Sequence, residues 1–338
     1  MKIEINKSIF LFLVFALCLS ACTNSMNQAE PPRQSDNNTN EPTTSAAGQH
    51  ITRNLSEYLT IDADVIYPQK SNYISYCIER VAIGAEYTTV NRQKNLEIQD
   101  LLFRFAMSHP GSDNNSIGFM SREDAVAMGA SIIENCGVSL IPELNTCVGL
   151  EHEQIMAWQQ ELLNDPNSYY NEFGKAVILS DLTTDDDAYY LRFTFSYDEI
   201  PVLGSDEPSV KIADASFPPV GLKAEILITP LGVQEFSITP AYAVVGEQYS
   251  GAIISVDDAI DQLKATYESV ILNVHYRVSS IYLEYIPLES AGKTVLTPYW
   301  CFLLEHENIR EDGTTYWSDN LEAERYNAYT GRSLAYGG

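Results

Sequence analysis

The stretch "SVDDAIDQL", residues 255–263, contains the signature of a helix N-terminus followed by apolar residues at helical spacing. Ser255 precedes Asp258 by three positions. At this spacing the hydroxyl accepts a backbone N–H of the first helical turn, and the carboxylate reaches back to the residue that precedes the helix. The apolar residues at helical spacing are Ile260, Leu263, Tyr267, Val270 and Ile271. The stretch therefore predicts an amphipathic helix that needs an apolar surface to cover.

A second helix start has the same form. "SREDAV", residues 121–126, repeats the pattern of serine, one residue, an acid, Asp, Ala and an aliphatic residue. Its apolar stripe is formed by Val126, Met128, Ile132, Ile133 and Cys136. A capping box is common by itself, but two such helices in one chain favour a duplicated structural unit.

Segments with strand character follow each of these helices. After the second helix they cover residues 276–286, 295–305 and a closing pair at 326–332. After the first, a further helix at 151–163 precedes strands at 189–197, 223–229 and 234–238. Upstream, strands are predicted at 59–66 and 73–82 and a helix at 92–107. Runs of successive strands predict an α+β fold of two units, each with one helix packed on an antiparallel sheet.

These segments resemble PepSY-type modules of bacteria and the extracytoplasmic regulators of two-component systems that contain them. The resemblance lies in "SVDDAIDQL", "IYLEYIPL" (281–288), "LTPYWCFLLE" (296–305) and "YNAYTGR" (326–332). The preceding half of such a tandem is similar to "YYLRFTFSYDEIPVLG" (189–204) and "AEILITPLGVQEFSI" (224–238). The whole chain is similar to a lipoprotein family of anaerobic Gram-positive bacteria. The resemblance implies N-terminal α+β unit(s) at 55–250, a C-terminal PepSY-like unit at 251–338, and binding, inhibitory or sensory roles without agreed catalytic residues.

The N-terminus predicts where the protein is located. Residues 9–19 form an apolar run of about 11 residues, which suits a secretory signal and is shorter than the roughly 20 that span a bilayer. Leu19-Ser20-Ala21-Cys22 then reads as a bacterial lipobox. We expect a signal peptide at 1–21 and a diacylglycerol on Cys22 that anchors the chain to the outer face of the cytoplasmic membrane. The alternative is an ordinary cleaved signal with a chance cysteine.

Residues 22–54 are rich in Asn, Ser, Thr, Gln and Pro and poor in large apolar residues. Such a segment cannot bury enough surface to offset the entropy of ordering it. We therefore expect a disordered tether over 22–54.

The charge limits the classes of partner. The formal net charge is −26, from 46 acidic and 20 basic residues. Nucleic-acid binding needs cations against phosphate, so it is not expected, and neither is a polybasic attachment to lipid. The acidity suits a solubilised surface protein and also favours basic partners.

Four cysteines belong to the exported part of the chain: Cys77, Cys136, Cys147 and Cys301. They allow up to two disulfides in three connectivities. Cys136 and Cys147 lie close in sequence across a loop with Gly and Pro, so they are the first pair expected, whereas an anaerobic host could leave all four as thiols. The lack of a C-x-x-C spacing argues against a zinc knuckle.

The sequence gives few candidates for catalysis or metal binding. His152 lies in "EHEQIM", where Met156 stands at the position that a zincin fills with its second histidine. A second Glu-His-Glu triplet surrounds His306, and the two triplets could form a metal site only if the units faced each other. The three aspartates of "TTDDDAYY", from Thr183, lack the spacing of a calcium loop and indicate a charged loop. No metal or cofactor is therefore predicted.

Two further motifs mimic those of penicillin-recognising serine enzymes. Ser290 and Lys293 have the Ser-x-x-Lys spacing, but they lie in a predicted turn between strands and would not share a helical face. "SDN", residues 318–320, is the second mimic, and no Lys-Thr-Gly follows it. Catalytic residues are not predicted.

Together these patterns favour a non-catalytic binding or regulatory module for an envelope protein or peptide. An envelope hydrolase with an unrecognised acidic site is the alternative. A solute-binding lipoprotein is a third reading, which the runs of successive strands argue against.

Overall fold

The computed structural model describes residues 48–82, 92–111, 116–166, 168, 170, 177–205, 221–268, 270, 272–290, 292–310, 312–318 and 322–335. Its helices are α1 (Arg92–Ser108), α2 (Arg122–Asn135), α3 (His152–Asn164) and α4 (Val256–Glu268). The strands before α4 are β1 (His50–Asn54), β2 (Leu59–Ile66), β3 (Tyr73–Arg80), β4 (Ile141–Leu150), β5 (Ala188–Tyr197), β6 (Ile200–Val202), β7 (Lys223–Thr229), β8 (Gly232–Thr239) and β9 (Tyr242–Gly251). After α4 come β10 (Tyr276–Ser290), β11 (Lys293–Ile309), β12 (Thr315–Trp317) and β13 (Glu322–Asn327). The α+β prediction is confirmed.

The described strands form one 13-stranded sheet, in which hydrogen-bonded neighbours follow the order β8-β7-β5-β6-β10-β11-β3-β9. Most pairs are antiparallel. The exceptions are β2 and β6, which both run parallel to β10. Strands β10 and β11 of the predicted C-terminal unit thus lie between strands of the predicted N-terminal unit within a single sheet.

The first face of the sheet carries one continuous apolar cluster. Strand residues such as Leu191, Ile226 and Ile281 pack there against helices α2 and α4. Leu263 of α4 is fully buried in this cluster. Because side chains alternate along a strand, the neighbouring positions point to the opposite side, which we call the second face.

The second face carries two smaller apolar clusters. Ile98 of α1, Ile155 of α3 and Tyr190 of β5 belong to the larger one, which α1 and α3 cover. Leu203, Ile286 and Tyr299 form the smaller one. Between and beside these clusters, the second face contains buried charged side chains.

Both predicted serine caps are formed, and at Ser255 the capping box is complete, because the backbone N–H of Ser255 also donates to the Asp258 carboxylate at 3.2 Å. The Ser121 hydroxyl accepts the N–H of Asp124 at 3.1 Å and donates to its carboxylate at 2.7 Å. Ser255 and Asp258 make the same pair of bonds at 3.1 and 2.6 Å. Each serine therefore satisfies an N–H that the helix start leaves without a partner.

The predicted tether extends too far along the chain. Strand β1, His50–Asn54, falls inside the predicted disordered segment 22–54, yet it pairs antiparallel with β2. The side chain of Ile51 is buried in the first-face cluster, and this burial stabilises the strand. The strand pairing of the sheet therefore begins at His50, inside the predicted tether.

The signal peptide, Cys22 and most of the tether lie outside the described residues, so these predictions stay predictions. Within the part of the chain that the structure describes, no helix is long and apolar enough to cross a bilayer.

None of Cys77, Cys136, Cys147 and Cys301 is disulfide-bonded. The predicted pair of Cys136 and Cys147 is therefore not formed in this structure. Cys136 ends α2, and Cys147 lies in β4 with its side chain buried. Both side chains pack as small apolar groups with the first-face cluster.

Candidate ligand-binding cavity

A cavity of about 460 Å³ lies on the second face, between α1 and the strands β5, β7 and β8. Its lining combines aromatic rings with side chains of both charges: Arg92, Leu96, Gln99, Asp100, Phe103, Tyr190, Arg192, Lys223, Glu225, Glu235, Phe236 and Ser237. Small-ligand sites have volumes of roughly 300–1,000 Å³ and a few polar groups among apolar ones. The volume of this cavity falls within that range, and its lining is more polar than that of most such sites, since the majority of the lining residues are charged or polar.

The amphipathic pattern of α1 creates one wall of the cavity. Ile98, Leu101 and Leu102 turn into the second-face cluster and are fully buried. Leu96 and Phe103 lie on the flank of the helix and line the cavity, with Leu96 45% exposed. The helix thus covers β5 with one side and leaves an open space along the other.

The strand register builds the floor. Arg192 of β5 lies opposite Glu225 of β7, and Glu225 lies opposite Ser237 of β8. In the next row on the same face, Tyr190 flanks Leu227, which faces Glu235. Cross-strand neighbours on one face have Cβ atoms about 5 Å apart, so each row places its side chains within reach of one another.

Arg192 is the buried cation of the floor, only 4% exposed. Its Nη2 donates to Ser205 Oγ at 2.9 Å, and its guanidinium lies over the Phe103 ring at 5.3 Å from the centroid. A cation over an aromatic face is an attractive contact. Arg192 therefore links the sheet to α1 directly beneath the cavity.

The carboxylates of Glu225 and Asp100 have cationic partners close by. Glu225 accepts from Lys223 Nζ at 2.9 Å and from the Tyr190 hydroxyl at 2.7 Å. Asp100 accepts from Arg104 Nε at 2.6 Å. These contacts fix the carboxylates and hold the walls of the cavity in place.

Arg92 stands apart from this network. It is the first residue of α1, it is exposed, and its side chain lines the cavity. Within the described contacts it has neither a hydrogen bond nor an ion pair. The first turn of α1 contains no acidic residue, although the N-terminus of a helix favours negative charge.

The three aspartates after Thr183, which the sequence predicts to be a charged loop, make specific contacts with two helices. They form a short 3-10 turn, Thr184–Asp186, in which Asp186 is buried and ion-paired with Lys94 of α1. Asp187 accepts from the backbone N–H of His152 at 2.8 Å, and it lies 2.7 Å from His152 Nδ1. The turn thus holds the starts of α1 and α3 against the sheet.

A buried polar network joins α1 to α3. Gln159 Nε2 donates to the Tyr170 hydroxyl at 2.8 Å, and that hydroxyl donates to the Glu97 carboxylate. Burial, together with the bond to Glu97, raises the pKa of Tyr170 above its usual range. The network fixes the helix that forms the wall of the cavity.

The remaining sequence candidates do not assemble into a site. His152 binds Asp187, whereas His306 lies on β11 opposite Tyr276. Over the described ranges, no group of three or more His, Cys, Asp or Glu side chains is placed to hold a metal ion. Ser290 ends β10 and Lys293 begins β11, so they flank a turn, as predicted. Asn320 lies outside the described residues.

No local motif in the sequence marks the residues of the cavity. Arg192 and Glu225 lie in segments that the sequence identifies by their strand pattern and by their resemblance, and their contact depends on a pairing between distant strands. The "RQK" start of α1, two cations without an acid, was the one local signal available.

No protein-family model matches the chain, and no curated protein matches it. Among solved structures, the chain is similar to an uncharacterized protein from Eubacterium rectale ATCC 33656, solved at 1.45 Å resolution. That likeness has a TM-score of 0.48 and 12% sequence identity, and it covers 84% of this chain and 93% of the other. The geometry of the cavity is therefore the evidence from which a function is argued.

Proposed function

We propose that this chain is a non-catalytic binding or regulatory module that takes a segment of an envelope protein or peptide into the cavity on its second face. It is anchored by a lipid on Cys22 to the outer face of the cytoplasmic membrane. The lipobox and the polar tether support the anchoring, and the cavity supports the binding.

The observation that carries the proposal is the position of the cavity beside the edge strand β8. Of the described strands, only β7 pairs with β8. Extended peptides commonly bind by adding to such an edge, with neighbouring pockets for their side chains. Phe236 and Ser237 of β8 line the cavity themselves, so a segment along this edge would lie next to it.

The distribution of charge favours a peptide over a nucleic acid as the ligand. The chain as a whole is strongly acidic, with a net charge of −26, but the cavity lining contains three cations and three carboxylates. A peptide offers both charges and apolar side chains, which match the rings and the ion pairs of the lining. A phosphate backbone offers one charge only.

We also propose that the fold consists of two PepSY-like units merged into one sheet. Helices α2 and α4 begin with the same Ser–Asp pair and pack on the same first face. In this proposal α1 and α3 are additions to the N-terminal unit, and α1 forms one wall of the cavity.

The test is a crosslinking pull-down of the full-length lipidated protein from its own membranes, compared with a variant whose cavity is filled. Ser237→Trp places a large ring in the cavity from an exposed wall position. Lys264→Trp, on the exposed side of α4, is the matched control. We expect a recurrent partner that Ser237→Trp loses and Lys264→Trp keeps.

A partner that both variants retain would contradict the role of the cavity. A partner recovered in cleaved form, with cleavage dependent on the wild-type cavity, would favour the envelope hydrolase instead.

A further inference from the structure

We propose that the cavity recognises the C-terminal end of a peptide, with Arg92 binding the terminal carboxylate and the rings of the lining taking an apolar last side chain. This inference rests on the proposed function and specifies its ligand.

The first step is that Arg92 is the cation of the lining that has no partner among the described residues. Lys223 is 2.9 Å from Glu225, and Lys94, from the same turn of α1, is ion-paired with Asp186. Arg92 makes no such contact within the described residues, although the chain contains 46 acidic side chains. A guanidinium is suited to bidentate binding of a carboxylate, which its planar set of donors matches.

The second step is that α1 adds to the attraction. Its first residues carry partial positive charge from N–H groups without intrahelical partners. The same turn contains no acid that would neutralise it. A carboxylate beside Arg92 would meet both the guanidinium and the end of the helix.

The third step concerns the rest of the ligand. Leu96 and Phe103 supply apolar side chains in the same cavity, whereas the Phe236 ring packs on the first-face cluster. The buried cation Arg192 lies on the floor beneath Phe103. A ligand with a carboxylate next to an apolar side chain would bind Arg92 through the carboxylate and the apolar part of the lining through the side chain. The last residue of a peptide has this form, whereas an internal residue brings no carboxylate of its own main chain.

The fourth step is that two of the three carboxylates of the lining are already paired with cations. Asp100 and Glu225 are each tied to a cation, at 2.6 and 2.9 Å, so their charges are largely neutralised. Arg92 is therefore the group on which an arriving anion gains most.

The experiment measures binding of two tripeptide pools to the full-length protein by isothermal titration calorimetry. Both pools are N-acetylated and end in Leu, Phe or Met. One pool has a free C-terminal carboxylate and the other a C-terminal amide. We expect the carboxylate pool to bind about ten- to a hundredfold more tightly, as the loss of a charge-assisted hydrogen bond implies.

The variant Arg92→Gln should bind both pools with the affinity that the wild type shows for the amide pool. Lys264→Gln removes the same charge from an exposed position on α4, and it should keep the preference for the carboxylate.

The outcomes separate this inference from the proposed function. Equal binding of the two pools, blocked by Ser237→Trp, would overturn carboxylate recognition and leave a peptide-binding cavity. A preference that survives in Arg92→Gln would overturn the role of Arg92. Failure of both pools to bind the wild type would overturn the inference, and the pull-down with the filled cavity would then decide the proposed function separately.

Discussion

The two faces of the sheet use different physical means to hold helices. On the first face, α2 and α4 lie on one apolar cluster that runs from β1 to β13. On the second face, α1 and α3 are held by apolar contacts together with ion pairs and a polar network. The buried charged side chains of the described strands all lie on the second face: Arg192, Glu235, Glu284 and Arg325.

This difference separates the face that is stabilised by apolar packing from the face on which we propose the binding site. Apolar burial is non-directional and provides the main driving force of folding. Buried charges need specific partners and are costly without them, so they are expected where a site must discriminate between ligands. The cavity lies on the second face, which contains these buried charged side chains.

The largest expected effect tests the buried ion pair of the second face. Glu284 and Arg325 are 0% and 3% exposed, and Arg325 Nε donates to Glu284 Oε1 at 2.5 Å. Arg325→Met leaves the Glu284 carboxylate buried without this partner, which should lower the free energy of unfolding by about 3–5 kcal/mol. Urea denaturation followed by circular dichroism measures the change.

The matched control is the double variant Glu284→Met with Arg325→Met. Removing both charges should restore most of the lost stability. If the double variant is as unstable as Arg325→Met, the two charges are not energetically coupled. That result would contradict the claim that the second face depends on paired buried charges.

The second prediction truncates one leucine from each face. Leu263→Ala on α4 opens a cavity in the first-face cluster and should cost about 3 kcal/mol of unfolding free energy. Leu96→Ala on α1 removes a half-exposed side chain, so it should cost less than about 1 kcal/mol and weaken binding of the carboxylate pool. Denaturation and calorimetry on both variants measure the split, and equal losses of stability would contradict it.

The third prediction compares the two capped helices within the first face. Ser121→Ala and Ser255→Ala each remove a hydroxyl that accepts an N–H at 3.1 Å, so each should cost about 1 kcal/mol. The double variant should lose the sum, since the caps start separate helices and share no hydrogen bond. A large inequality between the single variants, measured by thermal denaturation, would weaken the case for equivalent units.

The smallest effect concerns the exposed edge at β1. His50 contacts Asp64 through Nδ1 and Asp62 through Nε2, both at 2.9 Å. These hydrogen bonds raise the pKa of His50 above its ordinary value of 6.5. The protonated ring therefore helps to hold β1 on β2 below about pH 6.5, and this contribution is lost as the pH rises through the raised pKa.

An NMR titration of the His50 ring measures this pKa. We expect a midpoint above 6.5 in the wild type and a lower midpoint in Asp64→Asn, with Asp261→Asn as a distant control. A wild-type midpoint at or below 6.5 would show that the two carboxylates do not act on the ring.

The sequence predicts the elements of the fold better than their arrangement. Helix starts at Ser121 and Ser255 follow from local capping chemistry, and the strand at Leu59–Ile66 follows from its alternation. The parallel pairing of β2 with β10 joins residues far apart in the chain, and no local pattern specifies it. The tether boundary was wrong because β1 is polar in sequence and gains its stability from its partner strand.

The buried charged contacts of the second face could not be predicted for the same reason. In "IYLEYIPL", the alternation places Glu284 on the side expected to face solvent, yet the folded chain buries it completely beside Arg325. Likewise, Asp186 and Asp187 look like part of a solvated loop until Lys94 and His152 reach them from other elements. Residues that act through tertiary partners leave little trace in the local pattern.

The most direct test of the central claim, that the second face binds peptide, is site-specific photo-crosslinking with the carboxylate tripeptide pool. A leucine-sized residue that carries a diazirine replaces Leu96 at the cavity or Lys264 on α4 in the full-length protein, and mass spectrometry quantifies the adducts. We predict adducts at position 96 that the amide pool competes away only weakly, and none above background at position 264. Equal labelling at the two positions, or labelling at 264 alone, would contradict the assignment of the binding site to the second face.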